Sequence, residues 1–339
     1  MRKLLLIIVV AVVAVVAAAI WALWPQSRQT LVLYNAVDYG PAVAKAFTQQ
    51  TGIPVTVVTT STGPLIARVS AEAGRPGWTL AWFDGATAAA GLDKAGLLAH
   101  DVAPQLAWTA EGRSLLPADD AYIPTGFTLS GVFAYRRGGL KPPASWQGLL
   151  TPAYRGALGM NNPAISGPTY PLLAGLLQNA GGWPAGQKFV LALKQNGLQV
   201  FRTNSTTLAA LQSGEIKIAL VQSSAAYDLA HKPGSDIAVS VPDPAFVLPR
   251  VLVEAPHLSA RAQREAAAFI RFAMSAKGQA VAMQDQGADG LYWPVTTDAP
   301  ADQRIPDPAT LHLQTVDPTR WGPLESEINQ WFTRTVLGQ

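Results

Sequence analysis

From residue 30 onward the apolar positions of this chain follow two spacings in turn. Short consecutive apolar runs at 31–34, 55–58 and 79–83 predict strands, and each precedes a stretch in which apolar residues recur every three or four positions. Val43, Ala46 and Phe47 mark a helix over 41–50, Leu65, Ile66 and Val69 mark a second after Pro64, and a third runs through Leu92 to close at Gly96. Strands joined through helices predict an α/β fold with a mainly parallel sheet, and such sheets bind ligands beyond the carboxyl ends of their strands. A second block repeats the order, with strands at 156–160, 198–201 and 216–221 and helices that carry Leu172, Leu208 and Ala225. Between the blocks, residues 121–135 lose the helical period and read as extended chain crossing from one lobe to another. Residues 237–253, broken by Pro242 and Pro244, predict the return crossing. Residues 259–283 predict a long amphipathic helix broken near Lys277 and Gly278, and residues 321–337 a C-terminal helix.

The turns between strand and helix carry the chemistry. In Asn161-Asn162-Pro163-Ala164-Ile165-Ser166-Gly167-Pro168-Thr169-Tyr170-Pro171, Ser166 is placed to cap the helix of Leu172, Leu173, Leu176 and Leu177. The outward N–H groups, the positive end of the helix dipole and the hydroxyls of Ser166 and Thr169 together suit an oxyanion. The device recurs at Thr60-Ser61-Thr62-Gly63-Pro64, at Thr203-Asn204-Ser205-Thr206-Thr207 and at Gln222-Ser223-Ser224. Each helix start favours an anion by roughly 0.3 to 1 kcal/mol, and each hydrogen bond to a charged group adds roughly 1.5 to 3 kcal/mol. Four such turns reach the roughly 8 kcal/mol of micromolar affinity without a metal or an arginine. Asp38 and Asp84 also fall at strand ends, as site groups or as turn formers. Tyr170 and Tyr227 fit a site or a core equally well.

Composition narrows the classes. The chain has 339 residues, 49% hydrophobic and 14% charged, enough for a large core in two domains. A net charge of +3 without any basic run argues against nucleic acid. The lack of cysteine excludes disulfides and thiolate chemistry, and His100, His231, His257 and His312 are scattered without metal spacing, so no cofactor is expected. There is no G-x-S-x-G, H-E-x-x-H or P-loop lysine motif, so an enzyme is not expected. At the N-terminus, Met1-Arg2-Lys3 precedes residues 4–24, which carry no charge and are long enough to cross a bilayer. That length, with no convincing exit at Ala17-Ala18-Ala19, favours an uncleaved anchor over a cleaved signal peptide. Arg2 and Lys3 would then lie inside, with the rest of the chain outside the cytoplasm on a short tether at 25–30.

Residues 33–38, 61–73, 154–171 and 197–222, with Leu291-Tyr292-Trp293-Pro294, resemble a solute-binding protein of a bacterial ABC importer. The likeness is to the branch of ferric-iron, thiamine and 2-aminoethylphosphonate binders. It implies a type II periplasmic-binding-protein fold, two lobes closing on a hinge, that acts as a monomer on the periplasmic side with an inner-membrane ABC permease as partner. The domains expected are an anchor or signal with tether at 1–29, lobe one at 30–127, lobe two at 128–241, a return to lobe one at 242–300 and a C-terminal extension at 301–339. Where ferric binders place a histidine and two adjacent tyrosines, this chain has Asp38, then Ser224 and Ala225, so the resemblance implies no iron site. Ser166, Gly167, Asn204 and Ser205 match the positions that hold a phosphate in ferric binders. The expected ligand is therefore a small phosphorus oxyanion held by Asp38, Ser61, Thr62, Gly63, Asp84, Ser166, Gly167, Thr169, Tyr170, Asn204, Ser205, Thr206, Gln222, Ser223 and Ser224. Two carboxylates in a site with no evident cation favour a zwitterion such as 2-aminoethylphosphonate. Thiamine, ferric iron or a phosphate ester is the alternative cargo, and a membrane-tethered sensory module the alternative role.

Overall fold

The computed structural model describes residues 31–284 and 287–339. The anchor expected at 4–24 and its tether lie outside the described residues, among which no helix is long and apolar enough to cross a membrane. The strands are β1 (Leu31–Asn35), β2 (Val55–Thr59), β3 (Leu80–Asp84), β4 (Ile123–Leu129), β5 (Val132–Arg136), β6 (Leu158–Asn161), β7 (Gln199–Phe201), β8 (Ile218–Val221), β9 (Ile237–Ser240), β10 (Ala245–Glu254) and β11 (Leu313–Thr315). The helices are α1 (Gly40–Thr51), α2 (Thr62–Ala71), α3 (Ala86–Lys94), α4 (Ala110–Ser114), α5 (Thr169–Asn179), α6 (Gln187–Gln195), α7 (Asn204–Ser213), α8 (Ser223–His231), α9 (Ala260–Met274), α10 (Ala276–Gln284), α11 (Pro318–Trp321) and α12 (Glu325–Phe332).

Two sheets define two lobes. In lobe one the order is β11-β10-β3-β1-β2, with β4 on β10. Strands β1, β2 and β3 run parallel, and β10 runs antiparallel to β3 and β4. In lobe two the order is β7-β6-β8-β5-β9, with β6 parallel to β7 and β8, and β5 antiparallel to β8 and β9. Parallel pairs need helical crossovers, which is why the carboxyl ends of β1, β3, β6, β7 and β8 all open into turns that start helices. The chain passes between lobes at Ser130-Gly131, joining β4 to β5, and at 241–244, joining β9 to β10. The two passages lie side by side, since the Ser130 N–H donates to Phe246 O at 2.9 Å.

Burial explains the strands. Every residue of β3, β4 and β10 is buried, as expected for strands covered on both faces. Lobe two encloses Phe133, Leu158, Leu173, Leu177, Leu220 and Phe246, and the C-terminal Trp321, Ile328 and Phe332 complete that core. The break expected near Lys277 and Gly278 falls at Ser275: Ser275 is extended, and its Oγ donates to Phe272 O at 2.7 Å and so ends α9. The C-terminal helix starts later than expected but reaches the expected end: Gly322-Pro323-Leu324 separates the short α11 from α12, which runs on through a π-helical turn at Thr333–Leu337, because proline removes a donor that a continuous helix needs.

Candidate functional site

Between the lobes lies a cavity of about 740 Å³. Four helices of nine to eleven residues begin at its wall, α2 from lobe one and α5, α7 and α8 from lobe two. Ser61 and Thr62 line it beside the start of α2, Ser166, Gly167 and Pro168 beside α5, Thr203, Asn204 and Ser205 beside α7, and Gln222 beside α8. Ser61 stands at the N-cap of α2 in extended conformation but makes no side-chain cap bond, so its hydroxyl is not spent on the helix. Asp38 and Asp84 line the same wall, as do Ala288 and Asp289.

Side-chain amides fix the floor. Asn161 Nδ2 donates to Asn204 Oδ1 at 2.7 Å and to Ser166 Oγ at 3.2 Å, while Thr207 Oγ1 donates to Asn161 Oδ1 at 2.6 Å. Asn204 Nδ2 donates to Gln222 Oε1 at 3.2 Å. Gln222 then crosses to lobe one, where Nε2 donates to Thr128 Oγ1 at 3.1 Å and reaches Asp84 Oδ2 at 3.4 Å. Buried amides joined in this way hold a single arrangement, because each lost partner leaves a desolvated polar group.

The carboxylates behave differently from the sequence-based expectation. Asp84 is not an open carboxylate: Arg250 on β10, itself fully buried, places Nε 3.1 Å from Asp84 Oδ1 and Nη2 2.6 Å from Asp289 Oδ1. Its Nη1 donates to Asp289 O, its Nη2 also donates to Ser224 Oγ at 3.3 Å, and the guanidinium lies against the rings of Tyr39 and Tyr292. Burial pushes the Asp84 carboxyl up from its ordinary value while Arg250 pulls it back. Asp289 Oδ2 accepts the Asp38 backbone N–H at 2.9 Å. The expectation of a site without a cation is therefore corrected twice, by Arg250 behind the wall and by Lys232 on it, 3.1 Å from Asp228 Oδ2.

Several expected site residues serve other ends. Ser166 does not cap α5: the helix begins at Thr169 after Pro168, and the Ser166 carbonyl accepts the Thr169 N–H at 3.0 Å. Tyr170 points away from the cavity and donates to Trp321 O at 2.5 Å. Thr206 closes a capping box, its Oγ1 accepting the Thr203 N–H at 2.9 Å. Ser223 Oγ accepts the Leu129 N–H at 3.0 Å at the crossing, and Ser224 Oγ is taken by Arg250. Thr169 is buried in the first turn of α5, and Gly63 meets the opposite lobe rather than the cavity, its N–H reaching Ile165 O at 3.4 Å. Gln212, Asp228 and Lys232 enter the wall unforeseen. They share helix faces with Leu208 and with Ala225 and Leu229, and spacings of four on α7, three and four on α8, were the available signal.

With two α/β sheets, paired crossings and a polar cleft at the strand ends, the molecule is a two-lobed binding protein. The chain belongs to the bacterial extracellular solute-binding protein family, whose model matches residues 42–312. Over 206 residues, 59% of this chain, it is 29% identical to the phosphoglycerate transport regulatory protein PgtC of Salmonella typhimurium. It spans about half, 49%, of the length of that curated relative. Among solved structures it is similar to the periplasmic binding protein AfuA of Actinobacillus pleuropneumoniae, with exogenous fructose-6-phosphate bound, at a TM-score of 0.77, 21% identity and coverage of 89% and 97% of the two chains. Iron-bound HitA from Pseudomonas aeruginosa matches at a TM-score of 0.75 and 23% identity, covering 91% and 99%. Family members and neighbours are solute-binding proteins rather than enzymes. Likeness at these identities defines the fold alone. No tyrosine among the described residues lines the cavity, which leaves iron without phenolate ligands.

Proposed function

We propose that this protein captures a small organic phosphorus oxyanion, a phosphonate or phosphate monoester, between its lobes and delivers it to an ABC permease at the extracytoplasmic face of the inner membrane, where residues 4–24 would tether it. The observation that carries the reading is the convergence of four helix starts with Ser61, Thr62, Ser166, Asn204 and Ser205 on one cavity wall. The solute named for AfuA and the transport named for PgtC are of the same chemistry. Because Arg250 occupies Asp84 and Lys232 pairs with Asp228, neither carboxylate argues for an amine such as that of 2-aminoethylphosphonate. The cavity has room for an organic body well beyond two carbons. From Asn204 to Gln212 along α7 it extends eight residues, about 12 Å at 1.5 Å per residue. The regulatory role in the name of PgtC favours sensing as the second reading.

Calorimetry on the purified full chain tests the ligand class with 2-aminoethylphosphonate, ethylphosphonate, 3-phosphoglycerate, glucose 6-phosphate, glucose and ferric citrate. At least one phosphorus compound should bind, and a double variant Ser61→Ala and Asn204→Ala should weaken it by about 1 to 3 kcal/mol per lost charged hydrogen bond. Binding of glucose or ferric citrate with no phosphorus compound bound would overturn the reading.

A further inference from the structure

Three side chains that can ligate a metal meet on lobe one, and none of them lines the cleft. His100 Nε2 lies 2.7 Å from Asp93 Oδ1 and 3.9 Å from Asp119 Oδ2, and the ligating atoms all fall within 4.8 Å of one another. No fixed spacing in the chain announces the trio, because it is gathered from three segments. Asp93 stands in the last turn of α3, where its carbonyl accepts the Gly96 N–H at 2.8 Å. His100 is flanked by two backbone bonds: the Ala99 N–H donates to Glu254 O and the Asp101 N–H to Asp119 O, both at 3.0 Å. Asp119 Oδ1 accepts the Ala121 N–H at 3.2 Å, which leaves Oδ2 for the side of His100. The backbone therefore holds all three side chains at one point.

Negative charge is in excess there. Both carboxylates face one imidazole, and neither pairs with a lysine or arginine among the described residues. Asp93 also sits at the negative end of the α3 dipole. A neutral imidazole has one N–H to donate and serves one carboxylate at a time, whereas a divalent ion serves all three groups at once. One nitrogen and two carboxylate oxygens suit zinc and its neighbours in the first transition row, while magnesium and calcium prefer oxygen alone. With bonds of about 2.1 Å, the ligand atoms of a tetrahedral zinc stand about 3.4 Å apart. The separations of 2.7 and 3.9 Å straddle that value, and His100 and Asp119, with side chains 52% and 42% exposed, have room to adjust.

A separate feature lies where the ion's remaining position would open. Asp93 and Asp119 edge a groove of about 450 Å³ that Tyr122 also lines. Tyr122 is only 4% exposed, and its hydroxyl makes no hydrogen bond among the described residues. Burial, and after it the charge of Asp119, pushes that hydroxyl up, so it stays a donor. A buried donor without an acceptor, beside two carboxylates, suits a water or small anion carried by a metal. We infer that Asp93, His100 and Asp119 form a binding site for a divalent transition metal of the zinc class, with one position open to the groove of Tyr122. The site shares no residue with the cleft and stands whatever solute binds there.

Zinc chloride is the probe, with magnesium chloride as the control, titrated calorimetrically near pH 7 into the untagged full chain after treatment with a chelator. One equivalent of zinc should bind saturably and raise the unfolding temperature, because an ion held only by the folded chain adds stability. Magnesium should do neither. His100→Gln and Asp119→Asn, both at half-exposed positions, should each weaken zinc by roughly tenfold or more, since even groups that merely orient metal ligands are worth that much. Their unfolding temperatures without metal should stay near that of the wild type. His312→Gln removes the other exposed histidine–carboxylate pair, which has a single carboxylate, and should leave zinc binding as it was. No saturable binding of zinc, equal binding of magnesium, undiminished binding by His100→Gln or Asp119→Asn, or loss of binding in His312→Gln would overturn the site.

Discussion

Gly63 sits in the first turn of α2, where an alanine is conformationally acceptable and improves helix propensity by roughly 0.8 to 1 kcal/mol. What forbids the methyl is the other lobe. A Cβ at Gly63 would overlap the Ala164 carbonyl oxygen, lie 3.0 Å from its carbon and 3.3 Å from Ile165 Cα, all backbone atoms that no rotamer change can clear. The overlap exists only while the lobes touch, and the Gly63 N–H to Ile165 O contact at 3.4 Å would be lost with it. Gly63→Ala should therefore leave the separate lobes slightly stabler and penalise their closure. Overpacking of one methyl costs about 1 to 3 kcal/mol. If solute binding requires closure, the same energy appears as an affinity loss of about 5- to 150-fold. Calorimetry with the tightest phosphorus ligand, alongside thermal unfolding of the ligand-free chain, separates the two effects. A variant with wild-type affinity, or one whose unfolding temperature falls without ligand, would refute the assignment of this contact to closure.

The buried ion pair gives a second test. Arg250→Met removes the guanidinium between Asp84 and Asp289 and should destabilise the chain by about 3 to 5 kcal/mol in urea unfolding, with Asp84→Asn in the same chain recovering part of the loss; no recovery would show that Asp84 is not the group left uncompensated. Stability should also depend on pH through Glu325, whose carboxyl rises from 4.5 to about 8 on folding. The folded chain then holds a proton that the unfolded chain has released, so this contribution is full below about pH 4.5 and is lost as pH rises through about 8. Unfolding temperatures of the wild type and Glu325→Gln should diverge over that window, with the variant gaining as pH rises, and parallel curves would remove Glu325 from the titration.

How much of this was legible in the chain can be judged from individual residues. Strands β1, β2 and β3 and the helices after them follow directly from local apolar spacing, and the turns at Ser61, Ser166 and Asn204 carry hydroxyl, glycine and proline signals within a few residues. Arg250 left no local signal. It stands in the apolar run of β10, and its partner Asp84 is 166 residues away, joined only because β10 lies antiparallel to β3. The reading of Asp84 as an open carboxylate failed for that reason. Tyr170 was ambiguous because its helix is buried on all sides, and only the C-terminal Trp321, 151 residues later, decides which way the hydroxyl points. Ser166 misled because a serine before a proline pair fits a cap, whereas Pro168 sets the helix entry one turn later.

The order in which the strands enter the sheets also bears on how the chain is made. Lobe one holds β1 to β4 at its beginning but needs β10 between β3 and β4, and β11 beyond it, before its sheet is whole. Lobe two, though continuous from β5 to β9, draws Trp321, Ile328 and Phe332 into its core from the last twenty residues. Neither half is finished when its own first strands have been synthesised. A ribosome or a translocation pore that releases this chain from its N-terminus therefore releases it incomplete until nearly the end, with the wide apolar faces of β3 and β4 unpaired in the meantime. Such a chain depends on being held apart from its neighbours while it emerges, and truncation of α12 should expose that dependence as aggregation of lobe two rather than as loss of a tail.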